Sequence, residues 1–199
     1  NYASGGDTIN LPAGTYNLTL AGFGEGAAAT GDLDIKYSVS VIGAGAASTI
    51  INASTVQDRI FDLSNSAAVE IRGLTLTGGR ADNSGVYSLE SYGGAIRADF
   101  YNNLTIADCV FNANSAPNSA TGSVYGIGGA IYSSARTLNI QNTVFTGNYA
   151  SNNGGAIAAS GTVGGVPGVG AVLNSTFSSN SARGGGAIAS SPNLTRTGS

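Results

Sequence analysis

The sequence predicts an all-β fold, a single-domain right-handed parallel β-helix of roughly seven to eight rungs with loop protrusions. Three observations predict it. The tetrapeptide Gly-Gly-Ala-Ile occurs four times, at 93–96, 128–131, 154–157 and 185–188. A second motif, Phe-x-x-Asn-x-Ala, occurs at Phe111, Asn114 and Ala116, at Phe145, Asn148 and Ala150, and at Phe177, Asn180 and Ala182. Between the motifs lie short β-branched and aromatic runs punctuated by Gly, Asn, Ser and Asp, which is how strands and turns alternate.

The Phe positions differ by 145 − 111 = 34 and 177 − 145 = 32, and the Asn positions by the same amounts, so one unit is copied. Periods of this length belong to solenoids, propellers or arrays. Helical solenoids are excluded because no window sustains a 3.6-residue apolar period and glycine interrupts every candidate. Propeller blades need four antiparallel strands, whereas each unit here holds two or three short ones. In a parallel coil equivalent side chains stack about 4.8 Å apart. Phe111, Phe145 and Phe177 are then expected to form an interior aromatic stack, and Ile96, Ile131, Ile157 and Ile188 an aliphatic one. Asn114, Asn148 and Asn180 are expected to form a ladder at a turn, Asn being tolerant of left-handed backbone angles. The Gly-Gly pairs mark corners too tight for a Cβ. Crossover connections of parallel strands coil right-handedly.

Upstream, Val69 to Ala81 reads as a weaker copy with Leu76 in the Phe slot and Gly79 in the Asn slot. The chain is accordingly one β-helix domain over 1–199, with irregular rungs over 1–68 and regular repeats over 69–199. The tetrapeptides are spaced 35, 26 and 31 residues apart, which places length variation in protrusions at 80–92, 117–127 and 160–170. The tail 192–196 resembles the start of a further rung, as at 103–106.

Function is read mainly by exclusion. A net charge of −3, with Lys36 and seven arginines as the only cations, offers no basic patch for a phosphate backbone, so no nucleic-acid partner is expected. No run approaches the roughly 18 apolar residues of a transmembrane segment. The chain holds no Met, so it reads as a mature or trimmed form. There is no His, and Cys109 is the single cysteine, which removes His-dependent acid–base chemistry and zinc clusters. Cys109 itself lies in a strand-like run and reads as a small buried residue. Asp32 and Asp34 share one face of a strand, a spacing that suits a hard cation such as Ca²⁺. The sequence favours the alternative for both, solvated outward residues flanking inward Leu33 and Ile35. Asp58 and Asp62 with Arg59 make a second small cluster, and Asp99 with Arg97 a third. No residue is assigned a catalytic, cofactor-binding or metal role. Gly43 to Gly45 and Gly126 to Gly128 lack the Gly-Lys-Ser/Thr of a phosphate loop and read as corners. Tyr87, Tyr92, Tyr101, Tyr125, Tyr132 and Tyr149 gather in or beside the protrusions, where aromatics suit sugar rings or pack beneath loops.

The series Gly6 to Tyr16, Gly31 to Ile35, Ser40 to Gly45 and Ser48 to Ala53, with the two downstream motifs, resembles a bacterial group of secreted right-handed β-helix proteins. These often carry a CSLREA-type segment, absent here, and are related in fold to pectate lyases and polymorphic outer-membrane proteins. The resemblance implies a secreted, cell-surface location and a structural or adhesive role without a reaction. The expected function is a non-enzymatic extracellular solenoid that self-associates head to tail through its terminal rungs into a filament or sheath, with a glycan or cell-surface partner. The alternative is a protein that binds or cleaves polysaccharide in the manner of a lyase.

Overall fold

The computed structural model describes residues 6–22, 29–65, 68–81, 88–99, 102–119, 125–160, 162–163, 166–190 and 194–198. The chain winds as a parallel β-helix with three sheets. The first sheet has seven strands, Asp7–Leu11, Val39–Gly43, Ala68–Arg72, Asn103–Ala107, Thr137–Gln141, Val169–Leu173 and Leu194–Thr197. The second has six, from Gly14–Asn17 through Thr49–Asn52, Thr75–Thr77, Val110–Asn112 and Val144–Thr146 to Thr176–Ser178. The third also has six, Leu33–Ile35, Phe61–Leu63, Ile96–Ala98, Ile131–Ser133, Ile157–Ala159 and Ile188–Ser190.

Among the described residues there are therefore six complete three-stranded turns and the opening strand of a seventh, fewer than the seven to eight rungs expected. The reason lies in the length of a turn. Register partners on the first sheet are Asp7 with Val39, Ala68 with Asn103, and Asn103 with Thr137, steps of 32, 35 and 34 residues. Only the last step, Gly170 to Leu194, is as short as 24. That last strand vindicates the reading of the tail, since Leu194 falls in the column of Leu104 and Leu138.

The core follows from the columns. Phe111 and Phe145 stack with ring centroids 4.9 Å apart, and Phe145 and Phe177 do the same. Leu76 precedes them in register, as expected, and Ile51 and Tyr16 continue the column in the irregular rungs. Ile96, Ile131, Ile157 and Ile188 form the aliphatic column, which Phe61 and Leu33 extend. The Ala of each motif has its own place: Ala81, Ala116 and Ala150 are fully buried in a separate small cluster with Ala182, beside a fourth ladder pairing Ser115 with Tyr149.

The Asn ladder is present. Asn148 Oδ1 accepts from the backbone N–H and side-chain amide of Asn114 at 3.1 and 3.0 Å, and Asn180 Oδ1 accepts likewise from Asn148 at 3.0 and 2.8 Å. Gly79, in the Asn slot, donates its N–H to Asn114 Oδ1. The left-handed angle expected at these Asn belongs instead to the residue before each, Ala113, Gly147 and Ser179, with φ of 52°, 64° and 55°. The Asn side chain must point inward to reach the next turn, so its predecessor takes the reversal. A second left-handed column, Gly73, Asp108, Asn142 and Asn174, turns the chain between the first and second sheets.

The Gly-Gly corner has two separate causes. The first glycine of each pair, as at Gly128, has a positive φ of 70°. The second faces the next turn's backbone: a Cβ on Gly129 would lie 2.0 Å from the carbonyl oxygen of Gly155. Cys109 is buried, as expected. Its column holds Thr143 and Ser175, whose hydroxyls accept from the N–H of the preceding turn, so the thiol occupies a hydroxyl slot. Burial pushes the thiol up to about 11. Of the protrusions, the third contains a small antiparallel hairpin, Thr162–Val163 with Val166–Pro167, and the first contains a 3₁₀ turn at Ser88–Ser91. The centres of the first and second lie outside the described residues.

Candidate functional site: an acid and arginine cluster on the third sheet

Along the third sheet Leu33, Ile35, Phe61, Leu63, Ile96 and Ala98 belong to the core. Alternation then turns Asp34, Asp62, Arg97 and Tyr132, which are in register on successive strands, to the outer face. The three acidic groupings of the sequence, separated by whole turns of chain, thereby become one. Asp32 and Asp58 flank the first two strands, Arg59 sits beneath them, and Asp99 closes the third.

Two guanidiniums organise the cluster. Arg59 is 1% exposed; its Nη1 donates to Asp32 Oδ2 at 3.0 Å and to Asp62 Oδ2 at 3.3 Å. Its Nη2 donates to the backbone carbonyl of Glu90 at 2.8 Å and to Glu90 Oε2 at 3.2 Å. Arg97 donates from Nε to Asp62 Oδ1 at 3.1 Å, from Nη2 to Asp62 Oδ2, and from Nη1 to Glu90 Oε1 at 2.9 Å. Its Nε also lies 3.3 Å from Asp99 Oδ2. Glu90 belongs to the turn Ser88–Ser91, which thus lies over the outer face.

This corrects the expectation that Asp32 is a solvated outward residue: it is buried, at 4% exposure, because Arg59 draws it in. Arg59 is the cation that Asp32 faces. Among the described residues no group of three or more His, Cys, Asp or Glu side chains is arranged to hold a metal. Asp34 is half-buried in register with Asp62. Glu90 went unread in the sequence because nothing periodic marks an insertion.

Charge is unevenly matched. Five carboxylates, Asp32, Asp58, Asp62, Glu90 and Asp99, share two guanidiniums. Burial first, and then the charge of Asp58, push Asp32 up to about 7 against the pull of Arg59. Burial likewise raises Asp99 despite Arg97. For Glu90 burial acts upward too, but Arg59 and Arg97 outweigh it and hold the carboxyl below its usual range. Burial opposes the charge on Arg97, and Asp62 and Glu90 overcome it, so that guanidinium is held more firmly protonated. Both oxygens of Asp62 are engaged by arginine, so the carboxylate nearest the middle of the cluster is not offered as a base or nucleophile.

The tyrosines divide. Tyr92 and Tyr132 pack together beside the cluster with ring centroids 4.8 Å apart, and Tyr132 accepts from Ser160 Oγ at 3.1 Å. Tyr125 and Tyr149 are exposed at 52% and 46%. Tyr87 and Tyr101 lie outside the described residues.

Comparison with known families adds one match. Residues 108–134, 142–160 and 174–191 match the Chlamydia polymorphic membrane protein repeat. Each matched segment opens at a left-handed turn residue, Asp108, Asn142 or Asn174, and runs through the stacked Phe and the ladder Asn to the Gly-Gly-Ala-Ile corner. The expected resemblance to polymorphic outer-membrane proteins thus rests on the copied unit of the coil. Neither a curated protein nor a solved structure matches the chain. Among the described residues no helix is long and apolar enough to cross a membrane.

Proposed function

We propose that the protein is a non-enzymatic β-solenoid of the cell surface, a rigid scaffold for adhesion that associates head to tail through its end rungs. The observation that carries this reading is the closed state of the concentrated set of charged side chains found among the described residues. Arg59 is wholly buried and both oxygens of Asp62 are held by two guanidiniums, so the cluster ties successive turns of the coil together. The likeness to a membrane-protein repeat supports a surface location. At the described ends, Asp7–Leu11 and Leu194–Thr197 each pair on one side only, and Ile9 is 49% exposed. Such edges are templates for another strand. Electron microscopy of the purified chain over a concentration series tests this. Filaments of stacked rods support it, and isolated short rods at every concentration overturn the assembly.

A second reading is a polysaccharide-binding or lyase-like protein. It is favoured by the register of Asp62, Arg97 and Tyr132 on one outer face, with Asp99 beside them, a face that an extended glycan would reach once the turn Ser88–Ser91 lifts from it. Appearance of unsaturated uronide from polygalacturonate, lost in Arg97→Ala, would establish it over the scaffold.

A further inference from the structure

Of all carboxylates in the cluster, one alone is carried by an inserted segment. Asp32, Asp58, Asp62 and Asp99 stand on or beside strands of the third sheet, whereas Glu90 stands on the turn Ser88–Ser91. That turn is bound to the sheet by both guanidiniums. Arg59 Nη2 reaches Glu90 O at 2.8 Å and Oε2 at 3.2 Å, and Arg97 Nη1 reaches Oε1 at 2.9 Å. We propose that Glu90 is a pH-sensitive latch holding this turn on the outer face of the third sheet, and that ionisation of Asp32 loosens it.

The device rests on competition for a fixed amount of positive charge. Arg59 Nη1 serves Asp32 and Asp62 while its Nη2 serves Glu90. With Asp32 neutral, four carboxylates face two guanidiniums; with Asp32 ionised, five do. Asp34, half-buried in register with Asp62, adds to the negative side. Arg80, whose N–H donates to the Asp58 carbonyl at 2.8 Å, borders the cluster on one side, and Tyr92, next to the turn, packs on Tyr132. Four of the five carboxylates are fixed by the coil. Added repulsion therefore acts on the one that can leave, in a buried setting where charges are poorly screened. Burial places the ionisation of Asp32 near neutrality, at about 7. Glu90, held below its usual range by the two arginines, stays charged throughout that interval. The latch is tight in mild acid and loose in mild alkali.

Amide hydrogen exchange of the full chain, corrected for the intrinsic pH dependence of exchange, reads the latch directly. Between about pH 5 and about pH 9 the protection of residues 88–92 is expected to fall about tenfold, the equivalent of one unit of coupling. The strands Ile96–Ala98 and Ile131–Ser133 should keep theirs. In Asp32→Asn the protection of 88–92 should be as high at the alkaline pH as in acid, and in Glu90→Gln it should be low at both. Equal protection of 88–92 at the two pH values in the wild type overturns the proposal, as does a pH dependence that survives in Asp32→Asn.

Discussion

Asn148 occupies the middle of its ladder, and its side chain makes four hydrogen bonds. Its amide donates to the Phe111 carbonyl at 3.1 Å and to Asn180 Oδ1 at 2.8 Å, while its Oδ1 accepts two from Asn114. Being fully buried, it has no water to replace these partners. Asn148→Ala strands two donors of Asn114 and the Phe111 carbonyl, and is expected to cost about 3 kcal/mol in a denaturant titration. Asp32 shows the opposite behaviour, since its environment disfavours its charge. Its pKa is about 7 in the folded protein and 3.8 in the unfolded reference. Between those values the native state keeps a proton that the unfolded chain has lost, so stability falls as pH rises through this window and stays lower above it. Asp32→Asn retains an acceptor for Arg59 without the charge. Its melting temperature is expected to exceed that of the wild type by on the order of 5 °C at about pH 8, and the difference to vanish near pH 4.

The corner between second and third sheets shows that two glycines can differ entirely in what they tolerate. A Cβ on Gly129 would lie 2.0 Å from the Gly155 carbonyl and 2.6 Å from the Tyr149 backbone, atoms that cannot move without shifting a neighbouring turn. Gly129→Ala is expected to unfold the central turns or cost more than about 4 kcal/mol. Gly147 has a φ of 64° but nothing closer than Ala113 N at 4.0 Å, so Gly147→Ala should cost only about 1 kcal/mol in the same titration. The Ala113 found at the equivalent place one turn earlier, with φ of 52°, is consistent with this. These elements were legible in the sequence because Phe, Asn and Gly-Gly-Ala-Ile are copied in phase. In the first two turns the short β-branched runs were legible as strands, but their phase with the repeat was not, since Tyr16 and Ile51 fill the Phe column without the flanking motif. The site was legible only in pieces. Asp34, Asp62 and Arg97 are separated by 28 and 35 residues of chain, one turn each, and a turn whose length varies does not announce which acids will meet. Burial of Arg59 had no local signal, because the carboxylates that neutralise it arrive from other turns.

At the scale of the whole molecule, the proposed head-to-tail association draws on the strand pairing within the coil. Every internal turn is paired on both sides by parallel strands, so an end rung can be completed by a strand of the same geometry from another copy. At the last strand, the Thr197 carbonyl accepts from Asn174 N–H at 3.0 Å. Alternate residues of a parallel strand address opposite neighbours, so the N–H of Arg196 faces the open edge. A proline there removes that donor and leaves the bond to Asn174 in place. Sedimentation velocity of the wild type and Arg196→Pro over a hundredfold concentration range, about 1 to 100 µM, is the most direct test of a scaffold that builds itself from its ends. The account requires the wild type to shift to faster-sedimenting species as concentration rises while the proline variant stays a monomer. A wild type that remains monomeric throughout, or a proline variant that associates equally well, would contradict it.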